Sequence, residues 1–174
     1  MNNAIDRPSW DDYYLTLAFL IAQRSFDPSS KCGTVIVSKD NRVLSTGYNG
    51  PLKGSKDELI PLIRPQKYYH MLHGEENALL AYSGSQYDIQ GATAYITGRP
   101  CHKCLRMMIQ KGITRMVCSK NDTKVVDKED FDAQQIMLTD RNVVIEQKTN
   151  ENILSLLQRT TEYINLKNQQ NANY

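Results

Sequence analysis

The chain has 174 residues, 40% of them hydrophobic and 23% charged, and its formal net charge is +2. That length suits one domain with a core of its own, so a single domain over 1–174 is expected. The weak, scattered positive charge offers no track for polymeric nucleic acid, and no run nears the roughly 20 apolar residues that cross a bilayer, so neither is an expected partner. The first eight residues hold no apolar run and no small-residue cleavage site, so no signal peptide is expected. Four cysteines without a secretory signal favour thiols or a metal over disulfides, and the expected place is a cytoplasm, a host's if the chain is viral.

Residues 10–25 read as a helix with Ser9 as N-cap, Asp11 and Asp12 in the first turn, and a buried stripe of Trp10, Tyr14, Leu17, Ala18, Ile21 and Ala22. Asp27-Pro28-Ser29-Ser30 breaks it. A β-branched strand follows over 34–38, then a turn at Asp40-Asn41 and a returning strand over 42–49. Gly47, Gly50, Pro51 and Gly54 mark an irregular stretch, and 57–63 reads as a short helix stopped by Arg64-Pro65. Beyond it the pattern predicts a helix from His73 to about Tyr82, a strand over 92–97 and a helix over 102–110 stopped by Gly112. Then come a strand over 115–118, a helix over 129–138, a strand over 143–146 and an amphipathic helix over 152–166. The polar tail from about 168 to 174 should fray. A hairpin followed by strands joined through helices predicts an α/β fold: a three-layer α/β/α sandwich on a five-stranded mixed sheet.

Two stretches carry chemistry. His73-Gly74-Glu75 begins one predicted helix, and Pro100-Cys101-His102-Lys103-Cys104 begins another. Cys101 and Cys104 stand at i and i+3, so both thiolates can face one way from a helix start whose positive end favours them. With His73 they make a two-sulfur, one-nitrogen set for Zn2+ that leaves one position for water. Glu75, two residues after His73, would point away from the metal on a regular helix, yet a first turn can place both side chains in one pocket. A carboxylate there can move a proton from water to a substrate nitrogen. Other readings of C-x-x-C are a redox pair or half of a structural zinc site, with His70 or His102 as a fourth ligand. The position after the third strand, behind a proline, argues against the redox pair. A purely structural site has no need of Glu75.

H-x-E followed by P-C-x-x-C is the signature of zinc deaminases. By these residues the chain resembles the cytidine deaminase superfamily. Ser25 to Val37, Ser45-Thr46-Gly47-Tyr48-Asn49-Gly50, and the insert between Gly50 and His73 make it most similar to the deoxycytidylate (dCMP) deaminase family. That resemblance covers roughly residues 10–145. It implies a cytidine deaminase-like fold and conversion of dCMP to dUMP and ammonia, feeding thymidylate synthesis. It further implies activation by dCTP with Mg2+, inhibition by dTTP, and a homohexamer. On it, His73, Cys101 and Cys104 match metal ligands, Glu75 matches the catalytic acid/base, and Gly47, Tyr48, Asn49 and Gly50 match a loop between active and effector sites. Arg24, Asp27 and Lys31 stand near the expected effector loop.

Asn49, Asn77 and Tyr69 are the expected substrate contacts: two amides that donate and accept toward sugar or base, and a ring that could stack on a pyrimidine. Packing and local capping compete with each of these roles. Arg24, Lys31, Arg64, Arg99 and Lys120 are candidate phosphate contacts, although a solvated surface charge is the default for any one of them. Glu76, where an apolar residue is common in the family, reads as a solvated or helix-end carboxylate. Gly74 stands where the family commonly has alanine. Alternative activities are deamination of dCTP, cytidine or deoxycytidine; a guanine, riboflavin-precursor or tRNA deaminase; or a zinc-stabilised binding protein without catalysis.

Overall fold

The computed structural model describes residues 7–120 and 127–171. Helix α1 spans Trp10–Ala22, and its first turn is fixed by Ser9, whose Oγ accepts the Asp12 amide at 3.1 Å. It ends at Ala22, short of the expected residue 25. Its buried side is Tyr14, Leu15, Ala18 and Ala22, whereas Trp10 is 55% exposed. Trp10 stacks on Tyr14 from outside, with ring centroids 5.5 Å apart, and so covers the core without entering it.

Strands β1 (Gly33–Val37) and β2 (Val43–Tyr48) form the expected hairpin, turned through Asn41 at φ 60. The stretch expected to be irregular contains a two-residue strand β3 (Gly50–Pro51), which pairs with β4 (Met71–Leu72). This short ladder returns the insert to the start of helix α2 (Gly74–Ala81). Within the insert the expected short helix is a single 3-10 turn at Asp57–Leu59, and a second turn lies at Gln66–Tyr69. Helix α3 (Gln86–Ile89), one turn held by Ser85, had no periodic signal. Then follow β5 (Thr93–Ile96), α4 (His102–Lys111), β6 (Arg115–Ser119), α5 (Lys128–Arg141), β7 (Val144–Lys148) and α6 (Glu151–Asn171). Gly112 closes α4 at φ 104, as expected of a left-handed C-terminal stop. Helix α6 runs past the expected end at residue 166, through Asn168 and Gln170 to Asn171. No glycine or proline interrupts it there, and Asn and Gln cost a helix only a few tenths of a kcal/mol to about 0.7 each. Residues 172–174 lie outside the described residues. Among these, no helix is long and apolar enough to cross a membrane.

The five strands order as β2-β1-β5-β6-β7. Strand β1 is antiparallel to β2 and β5, while β5, β6 and β7 run parallel. Alternate residues feed two cores, as the period of a strand requires. Ile36, Ala94, Ile96, Met116 and Cys118 pack toward α2, α4 and α5. Val35, Val37, Tyr95 and Val117 pack toward α1 and α6. The result is the expected three-layer sandwich on a mixed sheet.

Gly47 fixes the distance between β2 and α2. A Cβ added there would lie 2.3 Å from both the Ala78 nitrogen and the Gly74 oxygen, which are backbone atoms that cannot turn aside. Gly47→Ala is therefore expected to cost at least the 1–3 kcal/mol typical of overpacking, read as a lowered Tm. An unchanged Tm would mean that β2 and α2 part freely.

On the far face, Arg115 grips two acids from different elements. It bonds both oxygens of Asp11 at 2.8 Å and both oxygens of Glu146 at 2.7 and 2.9 Å. Lys148 and the Tyr95 hydroxyl complete the cluster at 3.1 and 2.9 Å from Asp11. Arg115 holds the Asp11 carboxyl well below the usual carboxylate range, against its burial, with Lys148 and Tyr95 adding to the effect. Arg115 also holds Glu146 down, again against burial. A carboxylate lowered on folding contributes stability that is present above its unfolded pKa, near 4, and is lost as pH falls through the folded value. Tm is thus expected to drop below about pH 4, and less steeply in Arg115→Met than in the native chain. Parallel pH profiles for the two proteins would remove this cluster from the acid response.

Candidate active site

Helices α2 and α4 begin facing one point, and each begins on a functional residue. His73 is the N-cap of α2 at φ −73, ψ 158, and Cys101 is the N-cap of α4 at φ −74, ψ 166. Both backbones are extended there. His73 therefore escapes the turn per residue that would set it and Glu75 on different sides of a helix. Glu76 secures this entry, because its Oε2 accepts the His73 amide at 2.7 Å. The helix-end reading of Glu76 thus acquires a definite role. Gly74 sits tightly: a Cβ there would come 3.2 Å from the Cys32 carbonyl oxygen.

His73 Nδ1 lies 3.4 Å from the Cys104 sulfur and 3.7 Å from the Cys101 sulfur. All three donor atoms are within 4.8 Å of one another. Typical zinc bond lengths around a tetrahedron require about 3.6 Å between nitrogen and sulfur, so the residues fit the ion. The chemistry of the donors agrees. Cys101 is lowered to about 3, first by the hydrogen bond it shares with Cys104 and then, against burial, by His73. Cys104 is pushed up, first as the other partner of that bond and then by burial. His73 is raised, first by its contact with Cys101, against burial. Cys101 is thus set as a thiolate beside a protonated Cys104 and His73, and a bound dication would take both sulfurs as thiolates. Neither alternative fourth ligand joins the group among the described residues. His70 is exposed after the second 3-10 turn, and His102 turns its Nδ1 to Asp130 Oδ1 at 2.9 Å.

Beside this trio opens a cavity of about 410 Å³, lined by His73, Cys101 and Glu75. Glu75 is 5% exposed, so its carboxyl works away from bulk water. Asn49 also lines the cavity, but its amide already serves the protein. Its oxygen accepts the Cys32 amide at 2.7 Å, and its nitrogen donates to the Ser30 carbonyl at 2.9 Å and to Asp27. Asn77 does not line the cavity, and it donates to the Tyr48 carbonyl at 2.7 Å, pinning α2 to the end of β2. Tyr69 is 84% exposed and faces a neighbouring groove, while Tyr68 reaches the cavity in its place. Among the expected effector residues, Asp27 lines the cavity. Arg24 and Lys31 are exposed outside it, and Gly47, Tyr48 and Gly50 are not among its lining residues.

Sequence reasoning missed Lys67. It is 2% exposed, and its ammonium bonds Asp27 at 2.7 Å and Ser29 Oγ at 2.5 Å. Burial pushes the Asp27 carboxyl up, but Lys67 and the Ser29 donors outweigh it and hold the group below its usual range. Gln134 was missed as well. Fully buried on α5, it accepts Arg99 Nε at 3.1 Å and donates to the Pro100 carbonyl at 3.3 Å.

Residues 8–120 match the family described as the cytidine and deoxycytidylate deaminase zinc-binding region. The mouse deoxycytidylate deaminase is 34% identical over 138 residues, covering 76% of this chain and 75% of that one. The deoxycytidylate deaminase of Mycobacterium phage D29 is 38% identical over 129 residues, 67% of this chain and 98% of the phage protein. A solved structure of the cyanophage S-TIM5 dCMP deaminase, in complex with dCMP and dUMP, superimposes with a TM-score of 0.60 at 25% identity, covering 82% of this chain and 98% of that one. The match spans the hairpin, α2 and α4, where the donors and Glu75 reside, and the chain belongs to the cytidine and deoxycytidylate deaminase family.

Proposed function

We propose that this protein is a zinc-dependent hydrolase that converts dCMP and water to dUMP and ammonia. The observation that carries the reading is the His73, Cys101 and Cys104 donor cluster at one cavity, which His73, Cys101 and buried Glu75 line. Zinc bound by these three residues would make a water nucleophilic near neutral pH. Glu75 then accepts a proton from water and delivers it to the ring nitrogen beside C4 of the cytosine. A second proton passed by Glu75 lets the C4 amine leave as ammonia. Enclosure of the carboxyl keeps this traffic from bulk solvent. The relatives named as deoxycytidylate deaminases, and the structure solved with dCMP and dUMP, support the substrate.

Regulation belongs to the same proposal. A triphosphate effector, dCTP with Mg2+ as activator or dTTP as inhibitor, binds near Arg24, Asp27, Lys31 and the Gly47–Gly50 segment. In support, Asn49 bonds residues of the 27–32 loop from the end of β2, so the loop and the cavity share a wall. The product feeds thymidylate synthesis, and the chain assembles as a cytoplasmic homohexamer.

The test is ammonia release from dCMP, dCTP, cytidine and deoxycytidine, with and without dTTP, on protein of measured metal content. About one zinc per chain is expected, with dCMP the preferred substrate, a sigmoidal dCMP curve that dCTP makes hyperbolic, and suppression by dTTP. Reciprocity then requires dCMP to tighten dCTP binding by the same factor. No ammonia from any of the four compounds would end the deaminase reading, and indifference to both triphosphates would end the regulatory one.

A further inference from the structure

The acids and cations around the cavity are sorted in a way that the metal site does not require. Among the described residues four carboxylates line it: Asp27 bonds Lys67, Asp130 bonds His102 and Gln134, and Asp127 is the N-cap of α5. The fourth, Glu75, sits with the metal donors. Lys67 is neutralised by Asp27. Among the described residues two more cationic side chains line the cavity, Arg64 from the insert and Arg99 from the loop before Cys101. Each guanidinium lies over an aromatic ring, Arg64 on Tyr68 and Arg99 on Phe131, both 5.7 Å from the ring centre. Arg99 is steered further, because its Nε edge bonds the fully buried Gln134, which is itself tied to Pro100 and Asp130.

Stacked, pre-oriented guanidinium groups lose little freedom on meeting an anion and bond phosphate oxygens in a planar fork. A base whose C4 is presented to Glu75 leaves its 5′ substituent to be held by another part of the cavity lining. We infer that Arg99 and Arg64 grip the 5′-monophosphate of the substrate and so set its preference for a nucleotide over a nucleoside, with Gln134 as the positioning residue for Arg99. This rests on the proposal that the substrate is a cytosine nucleotide.

The measurement is the ratio of kcat/KM for dCMP to that for deoxycytidine, with zinc-loaded protein. Arg99→Gln and Arg64→Gln should each lower this ratio by about 30-fold, the effect expected of one charged hydrogen-bonding group. Arg99→Lys should lower it less, because it keeps the charge and loses the fork. Gln134→Leu should lower it as well, through KM for dCMP, without touching the ligand. If the ratio stays constant in both arginine variants, whether both substrates weaken together or neither does, the inference is overturned. The grip is also read without turnover, by calorimetry of dUMP against deoxyuridine on the same proteins. A selective loss of dUMP affinity in Arg99→Gln and Arg64→Gln supports it even if no cytosine compound releases ammonia, and an equal affinity of each variant and the native chain for dUMP overturns it.

Discussion

Glu75→Gln is expected to retain zinc at the native level and to lose deamination by roughly 10³-fold, nearly all of it in kcat. The substitution preserves shape and size and removes only the capacity to accept a proton. Zinc should stay, because the three grouped donors are His73, Cys101 and Cys104, and Glu75 is not one of them. Turnover should fall, because among the described residues the other carboxylates lining the cavity, Asp27, Asp127 and Asp130, serve partners away from the metal donors. The loss should be larger than for any change at Asn49 or Asn77, whose amides hold backbone together. Metal analysis with single-turnover ammonia release reads both halves. Near-native release from zinc-loaded Glu75→Gln would remove Glu75 from the proton path, and zinc loss would make it part of the metal site.

The legibility of this site has a physical cause. His73, Glu75, Cys101 and Cys104 are set by local rules, since N-caps and first turns fix where neighbouring side chains point, and four residues of sequence suffice to state them. The sheet was legible for the same kind of reason, as β-branched runs alternate with helical stripes and each connection is short. What sequence left open depends on tertiary distance. Trp10 obeys the period of α1 yet lies outside the core, because periodicity gives a face and not how far the neighbouring layer reaches. Asn77 stands one turn past His73, and its bond to the Tyr48 carbonyl follows from the close approach of β2 at Gly47, which no local pattern states. Tyr68 and Tyr69 are chemically alike, and only the second 3-10 turn decides which one reaches the cavity. Arg99 looked like one exposed cation among several. Its partner Gln134 is 35 residues away on a helix with no motif.

Lys67 is the extreme case, and it carries the largest expected stability effect. A lysine inside the second 3-10 turn of the insert gives no sign of burial in sequence, and its partner Asp27 is 40 residues upstream. Both side chains are almost wholly enclosed, at 2% and 3% exposure. Asp27 spends its other oxygen on the Ser29 amide and hydroxyl, at 2.9 and 2.8 Å. Removing one partner of such a pair leaves a buried charge without compensation, which costs about 3–5 kcal/mol. Lys67→Met should therefore lower stability by about that amount, and Asp27→Asn by a similar one. The double variant, Asp27→Asn with Lys67→Met, should recover much of the loss, since an amide and a thioether bury no net charge and Asn49 and Ser29 still offer partners. The consequence reaches function. Lys67 fastens the insert that carries Arg64 and Tyr68 to the loop that carries Asp27, so its loss should also raise KM for the substrate more than it lowers kcat. Denaturant unfolding of the four proteins as a double-mutant cycle measures the coupling. Additive losses, with no recovery in the double variant, would show that Asp27 and Lys67 do not act as a pair, and that the insert is held against the cavity by its apolar contacts and the β3–β4 ladder instead.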